Sequence, residues 1–275
     1  MQTLLLVLFL TVFPASMASQ QAHRALVQVN KRNFAPRIGI AYSYSPKTVV
    51  RAGYGIYYML FERFGSEDQL ALNPPSLINN TPAVSSTATA PVFFLKNGFP
   101  SNFLDPTQLD LHRVRIRAVN PATPTPYVQQ WSLGVQRELP FKLIGSLDYV
   151  GTKSTHLDVL SDFNQPISGV FPYPNFGYIE YQSPIGFGSY HGLEATLDRR
   201  FADGFSMRFA YTYSRSIDNT PQELESNSGS AQNGRDYASW KGPSDFDYPH
   251  RFVASYVYEL PFGRGRRMLQ SGVLS

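Results

Sequence analysis

The chain has 275 residues, a formal net charge of +4, 16% charged and 14% aromatic residues, and no cysteine. So small a positive balance, with basic residues scattered mostly singly, excludes the dense basic face of a nucleic-acid binder. The missing cysteines exclude a disulfide framework and a thiolate metal site. Nowhere past the N-terminus is there the run of about 20 apolar residues that a membrane-crossing helix needs.

The apolar run Leu4–Phe13 is too short to span a bilayer as a helix. Pro14-Ala15-Ser16-Met17-Ala18 follows, with small residues at the spacing a signal peptidase reads. Residues 1–18 are therefore expected to be a secretory signal, cut after Ala18, although no Lys or Arg precedes the apolar run. A misplaced start is the alternative, and a buried core strand is the least favoured reading. Residues 19–36 form a lead-in.

From Arg37 the sequence alternates apolar and polar residues, as a strand with two different faces does. Arg37–Tyr44, turn Ser45-Pro46-Lys47 and Thr48–Tyr58 make the first predicted hairpin. In it Ile38, Ile40, Tyr42 and Tyr44 alternate with small residues, while Gly53 and Gly55 weaken the strand but permit curvature. A Pro-, Asn-, Ser- and Thr-rich loop then covers about 59–126.

Tyr127–Arg137, turn Glu138-Leu139-Pro140 and Phe141–Val150 make the second hairpin, followed by a loop over about 152–189. The third is Leu193–Phe201, turn Ala202-Asp203-Gly204 and Phe205–Tyr213. Here Leu193, Ala195, Leu197 and Phe201 share one face with Phe205, Met207, Phe209, Tyr211 and Tyr213. Glu194, Thr196, Asp198 and Arg200, with Ser206, Arg208, Thr212 and Ser214, share the other. A polar loop covers about 215–249, and Arg251–Leu260 is a seventh strand.

Every short connection falls at one end and every long one at the other. Short turns opposite long loops, joined by strands of about ten alternating residues, match a transmembrane β-barrel with a polar lumen. A soluble β-sandwich explains the alternation equally well, but not a loop of dozens of residues in a compact domain. Arg51, Lys142, Arg200 and Arg208 fall on polar faces, where a lumen requires them, since a mid-bilayer cation on the lipid side costs roughly 2–4 kcal/mol. The 17 Tyr and 20 Phe suit aromatic girdles at the two membrane interfaces.

Enzymatic signatures are missing. Gly53-x-Gly55 lies within a strand and Gly263-x-Gly265 in a turn, so neither reads as a phosphate loop. His23, His112, His156, His191 and His250 lack metal-ligand spacing, and there is no Gly-x-Ser-x-Gly elbow. Asp245 and Asp247, with Asp236 nearby, offer hard oxygen ligands for calcium, but a solvated loop is the commoner role of such residues. Arg264-Gly265-Arg266-Arg267 reads as a charged turn. No catalytic, cofactor or metal residue is assigned, no cofactor is expected, and the substrate-binding residues stay open.

Several segments resemble the barrel of Oar-like TonB-dependent receptors of the acidobacterial type. They are Asn33–Tyr42, Val49–Tyr57, Pro126–Gln136, Tyr149–Leu157, Tyr190–Glu194, Tyr211–Asp218, Gly242–Phe252 and Leu260–Arg266. The resemblance runs in order over about residues 33–270. It implies an outer-membrane barrel of about 22 strands with an N-terminal plug and TonB-energised uptake of a bulky solute.

Against that pattern, residues 37–267 are expected to be a partial barrel of about seven antiparallel up-and-down strands, and 268–275 a truncated tail. The expected protein is an all-β, non-catalytic, solute-binding segment of the C-terminal half of such a barrel, in the Gram-negative outer membrane. Its expected partners are outer-membrane lipid and the missing barrel and plug portions. TonB enters only with a complete receptor, and nucleic acid is not expected. The alternatives are a secreted or surface β-sandwich that binds carbohydrate, and a non-functional gene remnant.

Overall fold

The computed structural model describes residues 4–12 (backbone only), 30–59, 73, 74, 77, 94–105, 107, 109–219 and 233–262. Ten strands form one sheet: β1 (Leu4–Val12), β2 (Phe34–Ser45), β3 (Thr48–Tyr58), β4 (Ile116–Val119), β5 (Tyr127–Leu139), β6 (Leu143–Asp162), β7 (Ile179–Ala202), β8 (Phe205–Asp218), β9 (Gly242–Pro243) and β10 (His250–Tyr258). The main path runs β1-β2-β3-β5-β6-β7-β8-β10, each pair antiparallel. Among the described residues the sheet does not close, because β1 pairs only with β2 and β10 only with β8. One sheet rather than two facing layers rules out the sandwich architecture.

All seven strands expected from the alternation are present. An eighth, β1, is added at one edge by the apolar run expected to be a signal, with Leu4 opposite Tyr42 and Val12 opposite Phe34. The expected cleavage point after Ala18, the residues of 19–29 and the tail 268–275 lie outside the described residues.

The short turns follow from local chemistry. Asp203 and Gly204, with φ of 56° and 76°, make a two-residue turn closed by Ala202 opposite Phe205. That backbone is the mirror-image turn whose twist suits a hairpin, and Asp-Gly adopts it readily. The second turn differs from the sequence reading: it occupies Pro140–Lys142 rather than Glu138–Pro140, so β6 starts at Leu143. Proline lacks the ladder N–H and displaces the turn toward itself. Phe141 there has φ of 63° and is 84% exposed.

The second long loop is shorter than expected. β6 has 20 residues and β7 has 24, so the connection between them shrinks to 163–178. A membrane-crossing strand needs about 9–11 residues; the pair therefore continues well past any bilayer. Register shifts between Thr155 and Leu157, and again between Leu157 and Val159, mark where the continuation begins. His156, with φ of 60°, sits in the first of these bulges, which bend and twist a strand pair.

Cross-strand register aligns the two faces across the sheet. One row reads Tyr42, Val50, Val135, Leu147, Ala195, Tyr211, Phe252. The row beside it reads Ile40, Ala52, Leu133, Tyr149, Leu193, Tyr213, His250, and both lie on the same apolar face. Charges bracket the band. Arg137 and Arg199 occupy this face toward the short turns, and Lys153 and Arg215 toward the long loops.

From Arg199 to His191 the strand covers about 27 Å, which a tilt near 40° reduces to about 21 Å. An outer-membrane barrel presents an apolar band of about 25 Å. Three tyrosine tips inside the band are paired. Tyr54 Oη donates to Gln129 Oε1 at 2.9 Å, and Tyr149 and Tyr211 meet the Nδ1 atoms of His191 and His250 at 2.7 and 2.8 Å. Hydrocarbon offers no water to such groups, so pairing them removes a cost of several kcal/mol each.

These faces make opposite demands on a new charge. Leu193→Arg places a cation in the apolar band and should weaken the folded, lipid-inserted state by about 2–4 kcal/mol. Thr212→Lys, on the other face between Glu194 and Arg251, should change it by less than about 1 kcal/mol. Urea titration of the chain folded into vesicles measures both.

Candidate functional site

The face opposite the apolar band carries the chemistry. One register row on it reads Ala41, Arg51, Gly134, Asp148, Glu194, Thr212, Arg251. Arg51 Nη1 donates to Gln136 Oε1 at 2.9 Å, Ser146 Oγ and Thr196 Oγ1 share a 2.7 Å hydrogen bond, and Arg208 pairs with Asp198 at 3.6 Å. The Asp148 carboxylate lies over Gly134, where any side chain on residue 134 would collide with it. Of the four cations expected on polar faces, Arg51 and Arg208 are on this one. Lys142 sits in a turn, bonded to Asp203 at 3.2 Å, and Arg200 lies in the irregular step between Arg199 and Ala202.

Two hollows lie along this face and share Thr152. The first, about 510 Å³, is lined by residues that include Arg37, Tyr57, Gln130, Ser132 and Thr152. Its Arg37 guanidinium stands 4.5 Å from the centre of the Tyr57 ring, within cation–π range. The second, about 560 Å³, lies toward the long loops, and its polar lining includes Asp218, Asp245, Ser154, Tyr190, Ser216 and Ser244. Met59, Val128, Leu157 and Phe246 give it an apolar wall. Among the described residues no Lys, Arg or His lines this second groove. Both volumes fall in the range of small-molecule sites.

The groove wall at 244–246 is held by an aspartate that the sequence reading considered as a calcium ligand. Asp247 Oδ2 meets Arg215 Nη1 at 2.9 Å, and its Oδ1 accepts the Ser216 N–H at 2.8 Å. Ser216 Oγ and Ser244 Oγ share a buried hydrogen bond of 2.8 Å, and β9 pairs with β8 through Ile217 and Asp218. These bonds clamp the segment onto β8 and leave Asp245 and Phe246 on the groove. Asp236 instead accepts the Ser239 N–H at 3.3 Å and caps the 3₁₀ turn Tyr237–Trp240. The three aspartates thus have three separate settings.

Beyond the bulges, a second set of interactions shapes the outer end. β4 lies parallel to β7, from Ile116 opposite Ile179 to Val119 opposite Gln182, and covers the edge of β7 beyond the end of β8. Glu180, 4% exposed, receives Arg115 at 2.9 Å and Arg117 at 3.5 Å. Fully buried Asn164 donates to the Tyr173, Phe176 and Gly177 carbonyls at 3.1, 2.8 and 2.9 Å and accepts the Tyr173 N–H at 2.8 Å. Gln182 is 1% exposed, and neither atom of its side-chain amide has a hydrogen-bond partner.

The sequence reading placed this whole region in loops. A signal was present: in Ile179-Glu180-Tyr181-Gln182 apolar and polar residues alternate. The Gly, Pro and aromatic residues around it obscured the pattern.

Removing one partner of a buried ion pair costs about 3–5 kcal/mol, because it strands the other charge. Glu180→Ala should therefore expose the segment around 110–120 to protease while β2, β3 and β5 keep their protection. Limited proteolysis of the folded chain reads this directly.

Comparison with known proteins agrees with the two-faced sheet. The outer membrane beta barrel domain family matches residues 11–275. No curated protein matches the chain. Among solved structures, the chain is similar to the outer membrane transporter YddB from Escherichia coli, at 13% identity and a TM-score of 0.41, over 68% of this chain and 20% of that one. It is also similar to the ferripyoverdine receptor of the outer membrane of Pseudomonas aeruginosa, at 14% identity and a TM-score of 0.42, over 82% and 20%. A third is the alcaligin outer membrane receptor FauA from Bordetella pertussis, at 12% identity and a TM-score of 0.40, over 83% and 27%. The chain thus spans about a fifth to a quarter of the length of these proteins. An apolar band of membrane height, a polar opposite face and a match over nearly the full length lead to one assignment: the chain belongs to the outer membrane beta barrel domain family, and its place is the outer membrane.

Proposed function

We propose that this chain is a wall segment of a TonB-dependent, Oar-like transporter, which binds and passes a solute without chemically changing it. The observation that carries the reading is a sheet apolar at membrane height on one face, hollowed and polar on the other, and open at both edges. Each unpaired backbone group in hydrocarbon costs several kcal/mol. With about five such groups on each edge, an isolated wall pays a penalty of tens of kcal/mol. Further strands, and a plug filling the lumen, are therefore the expected partners, with TonB acting on the completed receptor.

Residues 1–18 serve in this reading as a secretory signal, 37–267 as the barrel segment and 268–275 as a tail. Removal after Ala18 takes β1 away and bares the β2 edge. The segments that carry the Oar-like resemblance support the finer family. Seven of the eight segments lie wholly or mostly in strands or directly beside them, and the last, Leu260–Arg266, follows β10.

Expressed with its N-terminus intact in a Gram-negative host, the chain should fractionate with the outer membrane and migrate differently on a gel before and after boiling. Recovery as a folded monomer in buffer without detergent overturns the membrane reading. Mass spectrometry of the recovered chain should find Ser19 as its first residue, and an intact N-terminus overturns the signal.

A further inference from the structure

The groove between β6, β7, β8 and the clamped segment 244–246 has an uneven chemistry. Its polar lining is two carboxylates, Asp218 and Asp245, with hydroxyls from Thr152, Ser154, Tyr190, Ser216 and Ser244. Its apolar wall includes Phe246, and no cationic side chain lines it among the described residues. Elsewhere on the same face Asp198 pairs with Arg208. Asp218 and Asp245 have no such basic partner among the residues that line the groove.

We propose that this groove binds a small organic cation, an ammonium or guanidinium group carried on an apolar body. The inference rests on the reading of this face as the lumen side of the barrel wall.

Three physical terms favour that occupant. Two carboxylates without their own cation resist losing water to a neutral solute, because each would stay charged in a drier site. A cation removes that penalty. In such a partly dry site its attraction to each carboxylate is severalfold stronger than in bulk water. The lining includes Tyr190 and Phe246, and aromatic rings attract cations and accept an apolar body at once.

Anions are repelled by the same lining. Negative potential focused in a concave site raises the local concentration of a cationic solute.

A hydroxyl-rich neutral solute is the competing occupant, since carboxylates and hydroxyls also hold sugar-like groups. The two differ in salt dependence and in their response to removal of charge without removal of hydrogen-bond acceptors.

The test uses the full chain folded into phosphatidylcholine vesicles, where the open edges of neighbouring copies can pair with one another, with insertion read by heat-modifiable migration. Benzyltrimethylammonium, benzenesulfonate and glucose serve as probes, and binding is followed by saturation-transfer NMR. Benzyltrimethylammonium should bind with an affinity that falls as salt is raised, whereas benzenesulfonate and glucose should not bind measurably. Asp218→Asn and Asp245→Asn keep an acceptor oxygen and should each weaken the cation about tenfold. Phe246→Ala should weaken it severalfold while leaving the salt dependence in place.

Inserted protein that prefers glucose, or that binds all three probes alike, overturns the inference and leaves the membrane reading standing. So does unchanged cation binding in the Asp218→Asn/Asp245→Asn double variant. Failure of the wild-type chain to insert overturns the membrane reading and this inference together.

Discussion

The interior of a bilayer holds no water to pair with a backbone N–H or C=O, so a strand there is stable only when both its edges are bonded. Every other property of this structure is arranged around that requirement. Eight strands bond edge to edge in a continuous antiparallel path, and their connections alternate between tight turns and long excursions. The tight turns keep neighbouring strands in register. The long excursions fall at the end where β6 and β7 have left the bilayer and water can serve unpaired groups.

With the backbone committed to the ladder, the side chains decide which way the sheet faces. Strict period two sends Leu133, Tyr149 and Leu193 to one side and Asp148 and Glu194 to the other. A slip of one residue in any pair would exchange the faces and place carboxylates in hydrocarbon. The apolar face therefore fixes the register, and the register in turn sets the groups that line the lumen. Even the Tyr–His pairs serve this arrangement, since they satisfy polar tips that the band would otherwise strand.

Outside the bilayer the rules change, and so does the construction. The extension of β6 and β7 is held by buried polar contacts rather than by alternation: Glu180 with two arginines, Asn164 on three carbonyls, Asp247 clamping the groove wall. Contacts of this kind join residues far apart in the chain. Asp247 meets Arg215 across 32 positions, and Arg115 reaches Glu180 across a gap twice as long. Such pairs have no periodic signature, and residue types alone do not announce them. Asp236, Asp245 and Asp247 show this well: near one another in sequence, they divide into a helix cap, a groove lining and a clamp.

What the sequence determined by itself was the membrane wall. Alternation at Ile38–Tyr44, Leu193–Leu197 and Phe205–Tyr213 is a local property, repeated every two residues, and it survives any uncertainty about distant contacts. The Asp203-Gly204 turn was legible for the same reason, since its backbone preference is carried by the two residues that adopt it. The Pro140–Lys142 turn was misplaced by two residues because hairpin register depends on the partner strand as well as on the turn.

Only the tertiary structure decided how far β6 and β7 run, that β4 returns to cover an edge of β7, and that Leu4–Val12 adds to β2. The groove at Asp218 and Asp245 belongs to the same class. It exists because strands and loops from separate parts of the chain converge there, and convergence is a property of the packed backbone rather than of any sequence window.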